Sequence, residues 1–148
     1  MKLNNFIICD LVRQENTNKV LLVGIYDDNI TFLAQKENPT PLLLPLSFFV
    51  RFRKSQENEE VPVGFEFIAK FDLKDQPPIK LSGPLKAEPG KGITILLAIS
   101  PMMIHPNTKK IGFEVYLKYA DGHSDFFPLD EIKVGFAMPN VSALEPKK

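Results

Sequence analysis

The chain has no tryptophan, one cysteine and two histidines in 148 residues, and no excess of charge, with 18 basic and 18 acidic side chains. Each scarcity excludes something. A lone cysteine, Cys9, cannot close an internal disulfide, so the fold has no covalent framework. Two histidines and one cysteine give no zinc-type spacing such as His-x-x-x-His or Cys-x-x-Cys. A protein that holds nucleic acid usually shows a basic excess, because it must neutralise phosphates. Here the basic clusters Arg51, Arg53, Lys54 and Lys109, Lys110 are each followed by acidic residues, and no nucleic-acid partner is expected.

No window approaches the roughly 20 apolar residues of a membrane span, so no membrane role is expected. The opening Met1-Lys2-Leu3-Asn4-Asn5 lacks signal-peptide character, which points to a cytoplasmic setting. In that setting the sequons Asn29-Ile30-Thr31 and Asn140-Val141-Ser142 are chance matches. No segment of ten or more residues keeps a 3.6-residue apolar period, so a mainly helical fold is not expected. The best helical alternative is Ile7 to Glu15.

What the chain does have is phenylalanine, 12 copies, and proline, 13 copies. A chain of 16.7 kDa buries about 70% of its unfolded surface on folding, enough for a core without disulfides or metal. Aromatic and β-branched residues come in short runs punctuated by Pro, Gly, Asn and Asp, the pattern of many short strands. Residues 46–53 alternate in their second half, with Phe48, Val50 and Phe52 inward and Arg51, Arg53 outward. Residues 64–71 put Phe65, Phe67, Ala69 and Phe71 on one face. The hydrophilic stretch 54–60 joins these two as a long hairpin. The runs 92–99 and 20–26 are apolar at nearly every position and read as central strands. Residues 132–136 alternate, and shorter candidates lie at 6–9, 30–33 and 79–81. Pro-rich connections are expected at 38–45, 76–78 and 100–107.

The most specific expectation is a hairpin at 113–126. Phe113, Val115, Leu117 and Tyr119 share a face, and Asp121-Gly122 is a two-residue turn signal because both residues tolerate positive φ. Folding back about it sets Lys118 opposite Asp125 and Leu117 opposite Phe126. The sum is one all-β domain at 1–138, an antiparallel two-sheet sandwich of eight or nine strands, with a frayed tail at 139–148.

Phe6-Ile7-Ile8-Cys9-Asp10, then Asn18-Lys19 before an apolar strand, then Gly24-Ile25-Tyr26-Asp27, resembles the start of a family of small uncharacterised bacterial proteins. The resemblance covers about the first 28 residues. It departs from the family pattern at Asn18, where a turn glycine is common. It implies an immunoglobulin-like β-sandwich and brings no known activity.

The candidate chemistry is thin. Asp27-Asp28-Asn29, with Asp10 nearby, crowds hard oxygens at a strand end, as calcium sites do, though such residues also suit tight turns. His105 sits in a proline-bracketed loop and His123 just past the Asp-Gly turn. Both read first as solvent-facing loop residues. Cys9 lies in an apolar strand beside an anion, which opposes the low pKa a reactive thiol needs. No Gly-x-Ser-x-Gly elbow exists, and Gly90-Lys91-Gly92 precedes a strand, not a helix. Met102, Met103 and Ile104 read first as a loop folded over one open end of the sandwich, and offer a flexible apolar contact surface if that loop is exposed. The leading expectation is a non-catalytic protein-binding or scaffolding module without cofactors. One alternative is a small-molecule or metal-binding protein or weak hydrolase using Asp10, Asp27, Asp28 or the histidines. Another is a structural homodimer subunit.

Overall fold

The structure, a computed structural model, describes residues 1–15, 19–33, 40–54, 60–88 and 91–137. Among them there are nine strands and no helix: β1 Lys2–Gln14, β2 Val20–Tyr26, β3 Asn29–Leu33, β4 Leu42–Arg53, β5 Gly64–Phe71, β6 Ile79–Pro84, β7 Ile93–Ile104, β8 Lys110–Lys118 and β9 Ser124–Ala137. They form two sheets. One has the order β2-β1-β4-β7 and the other β3-β9-β8-β5-β6. Every pairing is antiparallel except β3 with β9. The helical alternative at Ile7 to Glu15 gives way to β1, whose ladder with β4 carries through Ile7, Ile8 and Cys9.

The inward faces are those that alternation picks out. Phe48, Val50 and Phe52 of β4 are fully buried, as are Phe67 and Ala69 of β5 and Val115 and Leu117 of β8. Phe48 is the centre of the packing. Its ring centroid lies 4.9 Å from that of Phe67 and 5.1 Å from that of Phe113, so β4 of one sheet meets β5 and β8 of the other through rings. Offset and tilted ring pairs add about 0.5–1.5 kcal/mol each beyond the area they bury. These two contacts, with those of Phe6 on Phe113 and Phe52 on Phe127, hold the two sheets face to face.

Four expectations need correction. The stretch 54–60 does not close a hairpin, because β4 and β5 lie in different sheets; residues 55–59 are outside the described set. The run 92–99 is not central: β7 is an edge strand, and it continues through residues placed in a Pro-rich connection, ending at Ile104. Pro101 can sit there because an edge strand has one backbone side that needs no ladder partner. The run 20–26 is likewise an edge strand, β2.

The fourth correction is the register of the hairpin. The strands and the turn are where the spacing puts them, but Leu117 faces Asp125, Lys118 faces Ser124 and Tyr116 faces Phe126. The turn is longer than two residues. Gly122 N–H donates to the Tyr119 carbonyl, and Tyr119 N–H donates to the His123 carbonyl at 3.0 Å, with Gly122 at φ +93°. That is a three-residue loop with a left-handed glycine at its end, and one extra residue shifts every pair by one. Phe126 is therefore outside, half exposed against Tyr116, and Asp125 faces in to accept a hydrogen bond of 2.8 Å from the Tyr119 hydroxyl. Lys118 pairs instead with Glu66 on β5, at 3.0 Å. The tail at 139–148 lies outside the described residues.

Candidate functional site

The four-stranded sheet has a second face, opposite the core, and it is apolar. Residues paired across a ladder project from the same side. Ile7 on β1 pairs with Phe49 on β4, which pairs with Leu96 on β7. Cys9 pairs with Ser47 and, on its other side, with Ile25 of β2. Leu11 pairs with Val23, and Arg13 with Leu21. The face therefore runs without a charge from Leu96 to Ile25, with the buried Ser47 inside it, and charged groups appear near its ends, at Arg51 and Arg13. Toward β2 it is open to solvent: Ile25 is 62% exposed, Leu11 50%, Leu21 45% and Val23 45%. Monomeric proteins seldom leave a contiguous apolar surface of this sort uncovered.

β2 is also the sheet's edge, with one row of backbone N–H and C=O groups that no strand of the described chain takes up. Edge strands usually carry a charge or proline that discourages further pairing. β6, an edge of the other sheet, has Lys80 and Pro84, and β7 has Pro101. β2 reads Val-Leu-Leu-Val-Gly-Ile-Tyr and has neither.

Cys9, inside this face, is fully buried, and its thiol lies 3.6 Å from the Ser47 carbonyl. Burial, and then the neighbouring Asp10 charge, push its pKa up. It is a packing residue, as its sequence setting suggests.

The polar candidates are placed as follows. Asp10 accepts a hydrogen bond from the Tyr26 hydroxyl, and a side chain at Gly24 would collide with the Asp10 carboxylate. Gly24 also takes φ +63°, which glycine adopts freely. Asp10 thus holds the end of the β1–β2 hairpin. Asp27 and Asp28 line a cavity of about 480 Å³ together with Asp130, Glu131, Phe6 and Tyr26. Asp28 also fixes the chain there, since its carbonyl accepts from Lys133 N–H at 2.9 Å. Glu131 is paired with Lys110 at 3.0 Å. Asp10, Asp27 and Asp28 do not come together as a three-ligand set.

One group among the described residues does: Glu60, Asp121 and His123, whose ligand atoms lie within 4.8 Å of one another. All three are exposed. Asp121 is the turn's own cap, accepting from His123 N–H at 3.0 Å and lying 2.5 Å from His123 Nδ1, and these bonds hold its carboxyl below the usual range. The His123 ring stacks on Tyr119 with centroids 4.2 Å apart. Sequence reasoning picked out His123 but missed Glu60 and the role of Asp121, because only the sandwich brings residue 60 to the 119–123 turn. His105 lies elsewhere, lining a cavity of about 400 Å³ with Gln76 and Met103. Gln76 closes one side of it by donating to the Met103 carbonyl at 2.9 Å.

Of the contact candidates Met102, Met103 and Ile104, only Met103 is at the surface, 51% exposed; Met102 and Ile104 are fully buried core residues of β7. A strand alternates its side chains, so adjacent residues cannot form one patch. The apolar groups that are exposed together, Leu11, Leu21, Val23 and Ile25, were hidden in the sequence. An apolar run carries no mark that tells a strand buried on both faces from one with an open face. Comparison of the chain with protein-family models, with curated proteins and with solved structures gave no match.

Proposed function

We propose that the protein is a non-catalytic protein-binding module whose contact surface is the open apolar face of the four-stranded sheet at β1 and β2. The observation that carries this is the exposure of Leu11, Leu21, Val23 and Ile25 side by side on an uncharged edge. Folding does not require it, since the core is complete on the other face. Leaving such groups in water is unfavourable by about 25 cal/mol per Å² of apolar surface, a cost that a partner's cover removes.

In an immunoglobulin sandwich, strands B and E share one sheet, and C′, C, F and G follow one another in the other. Equating β4 with B, β5 with C, β6 with C′, β7 with E, β8 with F and β9 with G supports that plan in part: these neighbours agree, but among the described strands none stands in the place of D, and β2 and β3 lie outside it. Domains of that plan commonly serve in recognition, by loops or by added strands.

The test is a photo-crosslinking residue placed at Val23 and, as a control, at Lys80 on the edge of the opposite sheet. The Val23 probe is expected to give a discrete protein adduct in cells and the Lys80 probe none. Equal labelling from both positions would overturn the reading.

A second reading, metal binding, rests on the Glu60, Asp121, His123 group. One equivalent of zinc should then raise the thermal midpoint in wild type and not in His123→Ala. No shift in wild type ends that reading.

A further inference from the structure

We propose that the occupant of the β2 edge is a second copy of the chain, paired β2 to β2 in antiparallel fashion about a two-fold axis at Val23. The inference rests on the contact surface proposed above and names what covers it.

For two copies to continue one sheet with their apolar faces on the same side, facing residues must point the same way, which restricts the register to steps of two. Centred on Val23, the pairs are Val23 with Val23, Leu21 with Ile25 and Val20 with Tyr26. The three exposed residues of the strand then meet the same three of the other copy. A shift by one step in either direction leaves one of them without an apolar partner.

The charges just outside the strand give the same register. β2 is uncharged from Val20 to Tyr26, and it is preceded by Lys19 and followed by Asp27. Both side chains are exposed, and among the described residues neither has an ion pair or side-chain hydrogen bond. In the pairing centred on Val23, Lys19 of one copy stands opposite Asp27 of the other, and the two-fold axis makes this happen twice. Opposite charges facing each other across a ladder stabilise it, and like charges oppose it. Two independent features of the strand, its apolar residues and its flanking charges, therefore select one self-complementary arrangement, as an isologous interface demands.

Gly24 sets the limit of the contact. Its left-handed backbone interrupts the β1–β2 ladder, where no pair joins it to Asp10, and it would interrupt the new ladder at the same place. In compensation the register puts Leu22 against Gly24, a large residue beside one with no side chain. The association is thus short and depends on side chains, and its extent varies with concentration.

The experiment is sedimentation equilibrium of the full chain over a range of concentrations, with three variants. Wild type is expected to approach twice the 16.7 kDa of one chain as concentration rises. Val23→Lys, which sets two cations face to face on the axis, should stay at one chain. Lys19→Asp should weaken the dimer at least tenfold, and adding Asp27→Lys in the same chain should restore it. Circular dichroism checks that each variant is folded, and the charge pair gives a test that leaves the apolar residues untouched. A wild type that stays at one chain, a dimer indifferent to Val23→Lys, or a charge swap that fails to restore would each overturn the proposal. A monomeric wild type whose Val23 probe still captures a different protein would defeat this inference and leave the contact surface standing.

Discussion

At the scale of single residues, this chain uses its polar groups to secure strand ends and turns. Tyr26 and Asp10 illustrate it. Burial, followed by the hydrogen bond to Asp10, raises the Tyr26 hydroxyl from 10.0 to about 12. A raised pKa in the folded state means that the fold favours the protonated phenol. Its contribution is whole below pH 10 and is lost as pH climbs toward about 12. Tyr26→Phe should therefore lose less stability than wild type between those limits, read from denaturant midpoints; parallel pH profiles would contradict it. Gly24 has two reasons to be glycine, its φ of +63° and the Asp10 carboxylate in the place of a side chain. Gly24→Ala should cost about 1–3 kcal/mol in chemical denaturation. Cys9 should resist a thiol reagent in the native protein and react fully in denaturant. Rapid native labelling would mean that its strand is not packed as described.

At the scale of elements, alternation was legible and geometry at the ends was not. β4, β5 and β8 could be read from period two alone, because each buries one face in the core. The Asp121-Gly122 turn was also legible, yet its register was not: whether a loop has two residues or three depends on a hydrogen bond from Gly122 to Tyr119 that sequence does not encode by composition. Gly122 has open space around the position of a side chain, so only its φ of +93° resists substitution. Gly122→Val should lower stability by about 1–3 kcal/mol from backbone strain alone, and an unchanged thermal midpoint would contradict the turn. Pro101 misled for a physical reason: proline is tolerated in edge strands and at bulges, and β7 is an edge whose ladder with β4 shifts register beside Pro101 and Pro45. In the core, Phe48→Ala should cost about 3–5 kcal/mol, since it removes the ring that joins β4 to both β5 and β8.

At the scale of the molecule, the two-sheet, all-β architecture followed from the punctuation of short apolar runs. The candidate surface did not. Leu11, Leu21, Val23 and Ile25 look in sequence like any other apolar residues, and only the pairing of β1 with β2 at a sheet edge shows them to be outside. The central claim is that these groups serve contact and not folding. Its most direct measurement is the denaturant stability, at a protein concentration too low for β2 to pair with β2, of the variant carrying both Leu21→Lys and Ile25→Lys. Lysine stems can lie along the sheet with their charges in water, and surface changes of this kind usually move stability by no more than about 0.5 kcal/mol each. The variant is expected within about 1 kcal/mol of wild type. A loss of several kcal/mol would show that this face is packed as part of the core, and would contradict it.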